Sequence, residues 1–99
     1  MKKSYTHVQS DYKFMDIIEY LHQQTGPVSG AQIARALNIP HGTVMSHLQP
    51  AIARKWVQQV GDDGFYEAGG RISGMYAAYL QGLKEKRTDI DREIHNLEV

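Results

Sequence analysis

Apolar positions along this chain change period in a set order. Phe14, Ile17, Ile18 and Leu21 recur at helical spacing and form one apolar face. They predict a first helix over residues 11–24, with Ser10 placed to cap it and Thr25-Gly26-Pro27 to end it. Val28 fits a strand of one or two residues. Ser29 then opens a second helix. With Gln32 it has capping-box spacing, in which each side chain satisfies a free backbone N–H of the first turn. Ile33, Ala34 and Leu37 share the inward phase of that helix, and Asn38-Ile39-Pro40 breaks it.

A third helix is predicted over residues 41–55. Val44, Leu48, Ala51 and Ile52 gather on one side of it at about 100° per residue. Thr43, Ser46, His47, Pro50 and Arg54 gather on another, and Pro50 removes one helical N–H. Residues 56–60 and 65–67 then read as two short strands around the turn Gly61-Asp62-Asp63-Gly64. The inward set is Phe14, Ile17, Leu21, Ile33, Leu37, Val44, Leu48, Ile52 and Trp56.

After Ala68-Gly69-Gly70 the pattern becomes a single long helix, from about Ile72 to Leu97. Ile72, Tyr76, Tyr79, Leu83, Ile90, Ile94 and Leu97 recur at three-, four- and seven-residue steps, with Lys86 and Arg87 interrupting the seam. The expected fold is mainly α with a small β-hairpin: a winged helix-turn-helix plus a long C-terminal helix. The division is a flexible N-terminal arm over 1–10, the winged domain over 11–70 and a C-terminal dimerisation helix over 71–99.

The wording of the middle segment narrows this further. Ile17 to Leu21 is followed by Gly26-Pro27-Val28-Ser29, Ile33-Ala34, Leu37, Ile39-Pro40, Thr43-Val44, His47-Leu48 and Val57. Over residues 12–68 this resembles the N-terminal DNA-binding domain of IclR-type regulators. The resemblance implies a recognition helix whose Thr43, Ser46 and His47 face the major groove, and a regulator of transcription. IclR-type regulators carry a large effector-binding domain after the wing. This chain follows the wing with a helix, so a stand-alone version is expected. Their recognition helices also usually offer a basic residue, whereas no Lys or Arg lies between Arg35 and Arg54.

Thr43 and Ser46 can bond to phosphates or base edges, Gln49 has the donor–acceptor pair that reads adenine, and His41 sits where a helix start meets a phosphate. The candidate DNA-binding residues are therefore His41, Thr43, Ser46, His47, Gln49 and Arg54. Lys2 and Lys3 fit either a mobile arm on the DNA backbone or a solubilising terminus. Tyr76, Tyr79, Leu83, Ile90, Ile94 and Leu97 are the candidate dimerisation residues, because a seam this long outruns what a small winged domain can cover; the other reading is a helix that packs back over its own domain. Pairing would set two recognition helices about 34 Å apart if they read successive major grooves.

Composition bears on partners more than on fold. Eleven Lys and Arg balance eleven Asp and Glu, which disfavours strong non-specific DNA binding. Asp62 and Asp63 make the wing acidic where a phosphate contact calls for a cation. Both features keep open a second reading, a winged-helix module that docks on another protein in a replication, packaging or regulatory assembly. There is no cysteine, so disulfides and thiolate metal sites are excluded and a cytoplasmic address fits. The five histidines show no metal-ligand spacing. No nucleophile elbow or glycine-rich phosphate loop is present. No enzymatic activity, metal, cofactor or membrane span is expected; the expected partners are double-stranded DNA and a second copy of the chain.

Overall fold

The computed structural model describes residues 2–99, with side chains from Gln9 onward. Its elements run α1 (Lys2–Gln23), β1 (Val28–Ser29), α2 (Gly30–Leu37), α3 (His41–Ala53), β2 (Val57–Val60), β3 (Phe65–Ala68) and α4 (Gly70–Glu98). This is a mainly helical winged helix-turn-helix followed by one long helix, as the hydrophobic pattern predicts.

α1 is longer than its apolar face. The backbone is helical from Lys2, so Ser10 lies inside the helix and does not cap it. The flexible arm expected over residues 1–10 falls largely outside the described side chains. At the other end Gly26 does not take the left-handed conformation that a glycine cap uses. Gln24 closes the last turn instead: its backbone N–H donates to the Leu21 carbonyl (3.3 Å) and its Nε2 to the Tyr20 carbonyl (3.0 Å).

The start of α2 follows its sequence signature. Ser29 Oγ accepts the Gln32 N–H at 3.1 Å, and the Ser29 N–H donates to Gln32 Oε1 at 2.9 Å, which completes the capping box. α2 ends at Asn38, whose φ of 55° is left-handed. Asparagine tolerates that region better than most residues. The Asn38 and Ile39 N–H groups both donate to the Ala34 carbonyl, which ties the turn to the helix it leaves.

Three strands make the sheet, the short one expected at Val28 among them. β3 lies between β1 and β2 and is antiparallel to both. Val28 pairs with Tyr66, and Val57 to Val60 pair with Ala68 to Phe65. The Gly61–Gly64 turn holds both glycines at positive φ, 67° and 71°, which glycine adopts without a Cβ clash.

The core gathers one or more side chains from each of the first six elements. Ile17, Ile18, Leu21, Val28, Ile33, Ala34, Val44, Leu48, Ala51, Val57 and Tyr66 are buried in it. Phe14, Leu37, Ile52 and Trp56, expected inside, are half-buried at its edge. The sequence phase missed Val28, Val57 and Tyr66, because their burial depends on the third strand and on alternation too short to read.

α3 ends at Ala53, earlier than the expected residue 55, because Lys55 turns left-handed at φ 63°. The chain reverses there and then returns to the same point. The Gly69 N–H donates to the Trp56 carbonyl at 2.9 Å and the Arg71 N–H to the Lys55 carbonyl at 3.1 Å. Gly69 is buried so closely that a Cβ on it would stand 2.3 Å from the Lys55 carbonyl oxygen.

α4 leaves the domain from that junction. Its 29 residues correspond to about 43 Å at 1.5 Å per residue. Ile72 is its apolar side chain that packs on the core. The radius of gyration is 19.4 Å, against roughly 13 Å for a compact chain of this length. The helix therefore projects and does not fold back over its own domain.

Leu48 is fully buried at the centre of α3, so Leu48→Ala should destabilise by about 2–5 kcal/mol in chemical denaturation. Gly69→Ala should cost about 1–3 kcal/mol although it removes no contact. The added methyl has to displace backbone, and an unchanged denaturation midpoint would show that the junction can yield.

Candidate nucleic-acid interface

The rotation of α3 decides which of its residues can meet a ligand. Val44, Leu48 and Ala51 point into the core. At 100° per residue, the row directly opposite them is Gly42, Ser46, Gln49 and Ala53. All four are exposed, as are His41 and Pro50 beside them. Gln49 thus presents its amide outward. Ser46 is outward too, with its hydroxyl donating to the Gly42 carbonyl at 2.9 Å, so its oxygen remains free to accept.

The other expected contacts stand elsewhere. Thr43 and His47 are half-buried on the flank that faces α1. The His47 ring packs against Phe14, with centroids 5.9 Å apart and planes inclined at 50°. Phe14 in turn packs on Trp56 at 6.1 Å. His47 is therefore part of a small aromatic cluster at the edge of the core. His41 sits on the opposite flank with Met45, both over the buried Gly30: a Cβ there would meet Met45 Sδ at 3.0 Å and His41 Nε2 at 3.1 Å. Arg54 is exposed but lies beyond the last turn, as the C-cap of α3.

The exposed row carries no charge. The nearest cations collect at its C-terminal end, where the chain crosses itself. Arg71 Nε donates to the Arg54 carbonyl at 3.3 Å, and the Arg71 N–H bonds the Lys55 carbonyl. Arg54, Lys55 and Arg71 thereby gather at one turn, all exposed, and none is in an ion pair among the described residues. An open groove of ≈ 510 Å³ lies beside them, lined by Lys55, Arg71 and the first turn of α4. Arg71 was not legible as a site residue, because only the Gly69 close approach brings it to a turn that precedes it by 17 residues.

Charge is thus graded along the hairpin. Three cations stand at its base and two exposed carboxylates, Asp62 and Asp63, at its tip. β2 has four residues, so base and tip are about 13 Å apart at 3.3 Å per residue. Phosphate is favoured at the base and disfavoured at the tip.

The candidate dimerisation residues are all exposed on α4. Tyr76, Tyr79 and Leu97 are 66%, 68% and 84% exposed, and Leu83, Ile90 and Ile94 are about half exposed. No described side chain covers them.

No polar or charged side chain is buried among the described residues, and none of them form a cluster that could hold a metal ion. No described helix is long and apolar enough to cross a membrane.

No protein-family model matches the sequence, and no curated protein matches it. Among solved structures, the chain is similar to HmgR of Pseudomonas aeruginosa, with a TM-score of 0.69 and 22% identity. The match covers 77% of this chain and 32% of the HmgR chain. At that identity it shows the fold, and the chain spans about a third of the protein it matches.

His47 and Ser46 are neighbours with opposite surroundings, and their substitutions should separate accordingly. His47→Ala should lower stability by about 1 kcal/mol and change the emission of Trp56, the chain's single tryptophan, through loss of the Phe14 stack. Ser46→Ala should stay within about 0.5 kcal/mol of the parent and leave the emission unchanged. Equal effects in thermal denaturation would mean that His47 is not held by Phe14.

Proposed function

We propose that this chain is a sequence-specific double-stranded DNA-binding protein, a small dimeric regulator of transcription acting in the cytoplasm. The observation that carries the reading is the outward row of α3. It is small and polar, it holds a serine and a glutamine able to pair with base edges, and it sits on a winged fold. HmgR is an IclR-family regulator, which supports DNA binding in general for a chain of this shape. No catalytic role is proposed.

In this reading Ser46 and Gln49 read bases from the centre of the recognition helix. His41 approaches a phosphate at its N-terminus. Thr43 and His47 contribute from the flank nearest α1, His47 mainly by holding the helix in place. Arg54, Lys55 and Arg71 are the source of the salt-dependent attraction that the neutral helix cannot supply. α4 joins two copies through the seam that includes Tyr76, Tyr79, Leu83, Ile90, Ile94 and Leu97.

The acidic wing tip and the uncharged row favour a second reading, in which the same surface docks on a protein. The two differ in salt response. Selection from a pool of random duplexes, followed by titration between 50 and 200 mM salt, separates them, because DNA binding weakens along a log–log slope set by the phosphates neutralised.

Alanine at Arg54, Lys55 and Arg71 together should flatten that slope by up to about three phosphates' worth. Alanine at Ser46 and Gln49 should leave the slope and shift the selected sequence. A slope unchanged by the first variant would remove the basic turn from the interface. Absence of any selected duplex with the native chain would favour protein docking.

Leu83→Glu with Ile90→Glu should give monomers in analytical ultracentrifugation and weaken DNA binding by removal of the second half-site. A native chain that sediments as a monomer at tens of micromolar would overturn the dimer.

A further inference from the structure

The exposed seam of α4 has a strict heptad. Tyr76, Leu83, Ile90 and Leu97 recur every seven residues, and Leu80, Arg87 and Ile94 fall four residues after the first three of them. These are the d and a positions of a coiled coil, with Arg87 the polar member. Gly74 and Gly82 fall on the outer side, where they do not interrupt the seam.

The flanking charges then show how two such helices meet. Lys84 and Asp91 are at e positions, Lys86 and Glu93 at g, all of them exposed. The one ion pair among the described residues joins Arg92 and Asp89, on the outer side of the helix at 3.4 Å. The e and g charges beside the seam have no partner among the described residues.

Resting on the dimeric reading above, we propose that α4 pairs with a second copy of itself as an antiparallel coiled coil, with Leu83 in one layer with the partner's Ile94. The charges decide the direction. In a parallel pair each g position faces the following e position of the partner. Lys86 would attract the partner's Asp91, but Glu93 would oppose the partner's Glu98, and the two Arg87 side chains would share a layer. With one chain reversed, e faces e and g faces g. Lys84 then meets the partner's Asp91, and Lys86 meets the partner's Glu93. Both contacts are attractive and each occurs twice by symmetry. Arg87 shares its layer with the partner's Ile90 and can extend its guanidinium to solvent. Leu80 meets the partner's Leu97. A shift of one heptad would put Lys86 against the partner's Lys86 and Lys84 against the partner's Lys84, so the charges select the register as well.

This pairing sets the geometry of the assembly. The two-fold axis crosses α4 between residues 88 and 89. Gly70 stands about 28 Å from it at 1.5 Å per residue, and the two Gly70 residues about 55 Å apart. The winged domains lie beyond those points, at opposite ends of the coil. Their separation suits half-sites two turns of duplex apart, about 20 base pairs, not the single turn that the sequence seam suggests.

The chain lacks cysteine, so introduced thiols report the pairing without interference. Leu83→Cys and Ile94→Cys chains, distinguished by a size tag, are oxidised alone and mixed. The expected result is a disulfide dimer only in the mixture. In the antiparallel pair, two copies of Leu83 are offset by about 16 Å along the axis, beyond the reach of a disulfide. Homotypic dimers of either variant alone would establish a parallel pair and overturn the proposal while leaving the dimer intact. Cross-linking of Leu80→Cys with Ile90→Cys in place of the first pair would overturn the register. A sedimenting dimer that gives none of these links would place the interface elsewhere, and a sedimenting monomer would overturn this pairing together with the dimeric reading. As a second measurement, Lys84→Glu with Lys86→Glu should dissociate the dimer, and adding Asp91→Lys with Glu93→Lys should restore it. A charge-reversed chain that stays dimeric would count against the e and g contacts.

Discussion

The packing of Val44, Leu48 and Ala51 against the rest of the core fixes the rotation of α3, and the surface the molecule offers follows from that rotation. A helix has about 3.6 residues per turn, so once three positions are buried the outward row is determined. Here it is Gly42, Ser46, Gln49 and Ala53. The row is small at both ends and polar in the middle, and small side chains let a helix approach a groove closely. Two anchors keep the rotation from drifting. The Phe14–His47–Trp56 cluster holds one flank and the contact of His41 and Met45 with Gly30 holds the other. Side chains that flank the outward row are thus spent on orienting it.

A second constraint sets where α4 goes. Lys55 turns left-handed, its carbonyl accepts the Arg71 N–H, and Gly69 lies against it with no room for a Cβ. The closing of the wing and the start of the long helix are therefore one junction. Its hydrogen bonds leave α4 by a defined exit, with Ile72 on the core and the remaining apolar seam clear of it. The same junction gathers Arg54, Lys55 and Arg71. A mobile connection would give neither the cation cluster nor a stable spacing between two domains.

Local patterns carried most of the fold. Ser29 and Gln32 announce their capping box because both partners lie within one turn, and the three- and four-residue recurrence of apolar residues marks every helix. Features made by distant parts of the chain were not legible. Val28 joins the sheet through Tyr66, and Arg71 reaches the turn at Arg54 from across the whole wing. The start of α1 was missed for another reason: polar residues can continue a helix without any apolar phase to reveal it. For the interface, the residue types on α3 were readable, but their division between outward row and flank was not. Thr43 and His47 share a broad polar side with Ser46 on a helical projection, and only the position of α1 shows that this side is partly covered.

The balance of charge links the proposed DNA surface to the proposed assembly seam. Up to Gly70 the chain has six Lys or Arg and six Asp or Glu, and the remaining 29 residues carry five of each. Neither part has a net field to draw it to a polyanion. Three clustered cations can neutralise about three phosphates, a modest electrostatic contribution beside the six to ten contacts that give strong salt-dependent binding. In the proposed reading a single domain of this kind binds DNA weakly, and what it lacks in charge has to come from joining sites. Two linked domains turn the second binding event into an intramolecular one, which can strengthen binding by about 10²–10⁴ when the spacing matches. A neutral reader is also held weakly by non-specific duplex, so in this reading specificity depends on correct spacing as much as on the proposed contacts of Ser46 and Gln49. In the proposed assembly the e and g charges of α4, which never touch DNA, set that spacing and so belong to the recognition mechanism.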